Sequence, residues 1–174
     1  LGNARPLVCF DILRRYFEHL GYEVTFVQNF TDIDDKLIHR AAREDKTVPE
    51  IAEHFIAAYL EDSQNLGVKM PDIAPRATKS MDSIRDLFPA LIDTNYAYIG
   101  SDAVYYDVSK NSRYGRLSGH SLESLQTGER DQAYFAEGKE AVEDLALWKF
   151  KRGNEPSWDG PGGEGRPGWH IECS

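Results

Sequence analysis

The chain has 174 residues, 41% of them hydrophobic and 28% charged, with a formal charge of −9. That is enough apolar material for one globular domain, or a domain with a small insertion, and no run approaches the ~18 residues of a membrane span. The acidic balance speaks against a dedicated nucleic-acid-binding module, though a local basic patch stays open. Cys9 and Cys173 are too few for a disulfide framework, so a reducing cytoplasm is the expected setting.

Apolar residues at Leu7, Val8, Phe10, Ile12, Leu13, Tyr16, Phe17 and Leu20 predict a helix over 4–20 with a wide buried stripe, stopped by Gly21. Residues 22–27 read as a strand on the weight of Val24, Phe26 and Val27. Thr31 is placed to cap a second helix, with Asp34 at the reach-back position of a capping box. Helix, strand, helix in so short a span suggests one turn of a doubly wound α/β sheet.

A third helix is expected over 48–66, with Pro49 near its start and Ile51, Phe55, Ala58, Tyr59 and Leu66 facing inwards. Pro71 and Pro75 punctuate a linker. A helix over 81–92 is interrupted at Phe88-Pro89, and short strands near 96–99 and 103–108 form a hairpin around Gly100-Ser101-Asp102. From 109 to 165 the chain is polar and glycine-rich and predicts few elements. The layout is a domain over 1–75, an insertion over 76–164 and a return over 165–174. The ends, Leu1-Gly2-Asn3 and Cys173-Ser174, read as the interior of a longer polypeptide.

Three constellations could carry chemistry. Gly2 and Asn3 precede a helix start, where backbone N–H groups approach a phosphate or adenine closely; ordinary helix starts look the same. Asn29-Phe30-Thr31-Asp32-Ile33-Asp34-Asp35-Lys36 follows the strand, at the edge where open α/β folds bind ligands. Its three aspartates could hold an ammonium group or a divalent ion, although Asp34 and Asp35 read better as acids at a helix start. At the end of the chain, Trp169, His170 and Cys173 have the spacing to share one face of a helix starting there. They read either as a soft metal ligand beside an aromatic wall or as a structural cysteine packed on tryptophan. One cysteine cannot make a zinc site. His19, His39, His54 and His120 lack ligand spacing, and Lys149 and Arg166 read as solvated charge more readily than as phosphate contacts.

Taken in order, three blocks resemble the cysteinyl-tRNA synthetase family. Leu1-Gly2-Asn3-Ala4-Arg5-Pro6 is similar to the remainder of the class I HIGH motif, residues 27–36 to the family's TDIDDK block, and Gly165-Arg166-Pro167-Gly168-Trp169-His170-Ile171-Glu172-Cys173-Ser174 to its most specific block. Pro71-Asp72-Ile73, Pro75-Arg76-Ala77-Thr78, Leu147-Trp148-Lys149 and Glu155-Pro156-Ser157-Trp158 agree as well; residues 132–143 do not.

The resemblance implies part of a Rossmann-like, doubly wound α/β class I catalytic domain, with an α+β connective-peptide insertion over 76–164. It implies ATP-dependent activation of L-cysteine, with Mg2+, and transfer to the 3′ end of tRNA-Cys by a cytoplasmic monomer. Gly2 and Asn3 are then catalytic and nucleotide-binding positions, Thr31, Trp169 and His170 bind cysteine, and Cys173 is one of four ligands of a Zn2+ that holds the substrate thiolate. The remaining ligands and the KMSKS loop lie outside these residues, so the chain alone is expected to be inactive. Two other readings are a mycothiol-pathway ligase that joins activated cysteine to an amino sugar, which shares the Trp-His-Ile-Glu-Cys block, and a non-catalytic binding module.

Overall fold

The computed structural model describes residues 2, 4–119 and 138–174. They fall into two compact units, Leu1–Lys79 and Ser80–Ser174, and the architecture is mixed α/β.

The first unit carries α1 (Ala4–His19), α2 (Asp35–Glu44) and α3 (Val48–Asn65). Gly21, at φ +86°, ends α1 as expected: its N–H reaches Glu18 O at 3.0 Å and that of Tyr22 reaches Phe17 O at 3.1 Å, the two bonds of a Schellman stop. The burial of α1 reverses expectation. Most of its apolar residues are exposed, Ile12 at 60% and Phe10 at 55%, with Leu7 half-buried, while Arg14 is its one buried residue. The reason is the polar stripe: Arg14 donates to Met70 O at 2.7 Å and to both oxygens of Asp72 at 2.8 and 2.9 Å, and Asp11 accepts the N–H of Lys69 at 3.0 Å.

The strand expected over 22–27 is reduced to one isolated parallel bridge, Val27 with Ile73, and a second, Phe30 with Arg76, lies just beyond it. The partner segment explains this. Pro71 and Pro75 have no N–H to give, so the ladder cannot run on, although Pro75 O still accepts the N–H of Phe30 at 2.8 Å.

Asp34, not Thr31, caps α2, accepting the N–H of Leu37 at 2.7 Å from an extended backbone (φ −158°). Thr47 caps α3 in a full capping box with Glu50, and Pro49 sits in the first turn. Ile33, Ala41, Val48, Ile51, Ala52 and Ile56 form the core where α2 meets α3. Phe55 and Leu66 are exposed instead, Phe55 lying under the Arg40 guanidinium at 4.5 Å.

The second unit begins with α4 (Met81–Asp86) and α5 (Phe88–Asp93), split where Pro89 was expected to interrupt one helix. An antiparallel sheet follows in the order β1 (Ala97–Ile99), β2 (Ala103–Tyr106), β3 (Leu145–Phe150) and β4 (Gly165–Pro167). The hairpin is as expected; β3 and β4 are additions to the sequence reading. A register shift at Val104/Tyr105 lets consecutive residues of β2 be buried, with Val104 at 0% and Tyr105 at 1% exposure. Trp148, Phe88 and Val108 complete the core, the rings of Phe88 and Trp148 meeting edge to face at 6.0 Å.

Candidate functional site

The end of the chain is built on β3. Three residues of β4 pair with it, Trp148 opposite Pro167, Lys149 opposite Arg166 and Phe150 opposite Gly165, and the N–H of Gly168 continues the contact to Leu147 O at 2.7 Å. Pro167 is tolerated because β4 is the edge strand. Glycine is required at 165: a Cβ there would stand 2.6 Å from the Trp148 indole nitrogen and 3.0 Å from the Lys149 carbonyl carbon. The indole N–H donates to Gly163 O at 3.2 Å.

Arg166 is not the solvated charge that the sequence suggested. It is 5% exposed, and its Nε meets Glu155 Oε2 at 3.2 Å, while the other Glu155 oxygen takes the N–H of Arg152 at 2.6 Å. A pair so enclosed holds its geometry because neither charge can be left alone without a large desolvation cost.

After Gly168 the backbone turns, and residues Ile171–Cys173 form a single 3-10 turn in place of the expected α-helix. Ile171, 3% exposed, plugs the turn into the unit, and Trp169, His170 and Cys173 are all exposed, Trp169 at 59%. The three named residues therefore lie within one turn on a buried rail. Cys173 is not a structural cysteine buried against tryptophan, and it carries no disulfide. An exposed thiol suits a soft metal such as zinc. Among the described residues, however, no three His, Cys, Asp or Glu side chains gather around a common point, so these residues offer a ligand and not a complete set.

In the first unit, Thr31 is half-buried between two anchored neighbours. Phe30 is held by the backbone bridge to 75–77. Asp32, 6% exposed, accepts the N–H of Thr78 at 2.9 Å and its hydroxyl at 2.5 Å. The aspartates do not converge on an ion: Asp32 turns to Thr78 and Asp34 to the start of α2. Gly2 is exposed, and a Cβ there would meet nothing within 4 Å, so no close packing demands glycine. Asn3 and His120 lie outside the described residues; His19, His39 and His54 are exposed.

Sequence reasoning missed three ion-pair or hydrogen-bond anchors: Arg14 with Asp72, Asp32 with Thr78, and Glu155 with Arg166. Each joins separate segments of the chain, and only the apolar run Leu145-Ala146-Leu147-Trp148 gave a local sign of the strand beneath the last.

A family model described as "tRNA synthetases class I (C) catalytic domain" matches residues 1–174. The chain belongs to this family of class I synthetase catalytic domains. It is 52% identical over 174 residues to a cysteine–tRNA ligase of Pyrococcus furiosus, covering all of this chain and 36% of that protein. It is 53% identical over 175 residues to one of Geobacillus thermodenitrificans and 50% identical over 174 to one of Caldicellulosiruptor saccharolyticus, again over 100% of this chain and 37% of each relative. The chain thus spans little more than a third of the relatives it matches. Among the described residues no helix is long and apolar enough to cross a membrane.

Proposed function

We propose that this chain is the part of a cysteine–tRNA ligase that contributes residues for binding the amino acid. The observation that carries the reading is the end-to-end match to relatives of that name, with the specific block at 165–174 held as an exposed turn on a buried strand. The reaction is adenylation followed by transfer. The carboxylate of L-cysteine attacks the α-phosphorus of ATP, presented with Mg2+, and pyrophosphate leaves. A terminal ribose hydroxyl of tRNA-Cys then attacks the adenylate carbonyl, and AMP leaves.

Catalysis of this kind rests on positioning and charge stabilisation. Thr31 contributes to binding the amino acid, and Trp169 and His170 line the side-chain pocket. Gly2 and Asn3, at the start of α1, approach ATP. Cys173 is one of the ligands of a zinc ion, which when bound selects thiolate over hydroxyl by metal–sulfur affinity where size alone discriminates poorly. Residues 76–164 serve as the connective peptide, guiding the acceptor end of tRNA, between catalytic portions 1–75 and 165–174. The whole enzyme works as a cytoplasmic monomer.

The test is cysteine-dependent ATP–pyrophosphate exchange by the full-length protein, with serine as the rejected control. Exchange with cysteine and not serine supports the reading, and formation of cysteinyl-tRNA rather than an amino-sugar amide identifies the acceptor. No exchange from folded, zinc-loaded protein overturns it in favour of a binding module.

A further inference from the structure

We infer that Asp32 and Thr78 are a positioning pair for Thr31, setting the presentation of its hydroxyl toward the amino acid; this rests on the reading of Thr31 given above. The geometry is a two-sided clamp. On one side of Thr31, the N–H of Phe30 donates to Pro75 O at 2.8 Å and Phe30 O accepts the N–H of Ala77 at 3.3 Å. On the other, both oxygens of the Asp32 carboxylate are engaged by one residue, Thr78, through its N–H and its hydroxyl. Residues 30 and 32 are therefore docked on the same short segment. Residue 31 between them has a fixed backbone and a half-buried side chain.

The docking segment is itself anchored. Arg76 pairs with Glu53 on α3, its second contact at 3.1 Å. The ring of Phe30 packs edge-on to Tyr59, also on α3, at 5.7 Å, and the Gln28 amide donates to the Tyr59 hydroxyl at 2.5 Å. Hydrogen bonds to an enclosed carboxylate are the strong kind, and a loop held by two of them from a single partner has little freedom to swing. Both oxygens of Asp32 are turned to Thr78. Asp32 acts through the residue beside it.

The experiment uses the full-length protein and ATP–pyrophosphate exchange, varying cysteine and ATP separately. Thr78→Val removes the hydroxyl bond and keeps the backbone one, so the fold survives. The expected result is a KM for cysteine raised on the order of tenfold, a KM for ATP within about twofold of wild type, and restoration by Thr78→Ser. Asp32→Asn, which keeps one acceptor for the Thr78 N–H, gives a smaller change of the same kind. An unchanged KM for cysteine in Thr78→Val, or an equal rise for both substrates, overturns the pair. A wild-type protein that shows no cysteine-dependent exchange overturns the underlying functional reading, and this inference with it.

Discussion

The phenol of Tyr98 donates to the carboxylate of Asp144 at 2.6 Å while accepting the N–H of Glu140 at 2.8 Å. Asp144 is 3% exposed, and it also takes the N–H of Val108 and of Ala141, each at 3.1 Å. One carboxylate thus ties β1, the turn after β2 and the approach to β3. Asp144→Ala orphans these donors in a closed environment and is expected to cost about 3 kcal/mol. Urea unfolding of wild type and variant measures it; a loss below about 1 kcal/mol would mean that water reaches the site.

Alkaline pH should release the same region. Burial, then the hydrogen bond to Asp144, raises the Tyr98 phenol above its usual value, and burial with Asp102 does so for Tyr105. A raised pKa in the folded state means that this contribution is whole below the unfolded value of about 10 and is lost as pH climbs from there toward the folded value. Tyrosinate absorbance, compared with Tyr98→Phe and Tyr105→Phe, should show these two phenols ionising late, together with unfolding. Ionisation of either near pH 10 in the folded protein would contradict this.

Acid acts on the other unit. The Phe26 N–H it accepts, and then the Arg14 guanidinium, hold the Asp72 carboxyl below its ordinary value. A depressed pKa places this contribution above the unfolded value of about 4 and removes it as pH falls through the folded value. Asp72→Asn should flatten the acid limb of a plot of Tm against pH. An acid limb identical to that of wild type would show that α1 is held by other contacts.

Gly165→Ala should destabilise by about 1–3 kcal/mol, because the added methyl meets the Trp148 indole and the β3 backbone rather than a flexible side-chain end. Thermal unfolding reads it. A neutral result would mean that β4 can lift away from β3 at little cost.

Cys173→Ala in the full-length protein is expected to abolish both bound zinc and cysteine-dependent exchange. Metal analysis and exchange on the same preparation decide. Full activity in zinc-free protein would remove the metal from the pocket.

Local patterns were legible where one segment carries its own signal. The glycine stop of α1, Pro49 near the start of α3 and the split at Pro89 are decided within a few residues, and each stands as read. The burial of α1 was not legible, because periodicity marks which face is apolar and not which face meets a neighbour; Arg14 and Asp72 reversed the choice across the chain. The Thr31 cap failed for a related reason. Asp34 offered the better cap geometry, and the Asp32 between them was occupied by Thr78. The family blocks singled out residues 169–173, which the spacing read as a helix start and not as an exposed turn, and nothing local in them announces that Arg166 is buried against Glu155.

The second unit holds three tryptophans, and with the half-buried Trp158 replaced by phenylalanine the other two have an optical consequence. Trp148 is wholly enclosed and Trp169 is 59% exposed, so one indole emits from an apolar interior and the other from water. The blue, quencher-resistant component follows whether the sheet is intact. The red, quenchable one follows whatever comes to cover residue 169. Without any attached dye, the chain separates the signal of folding from the signal of occupancy.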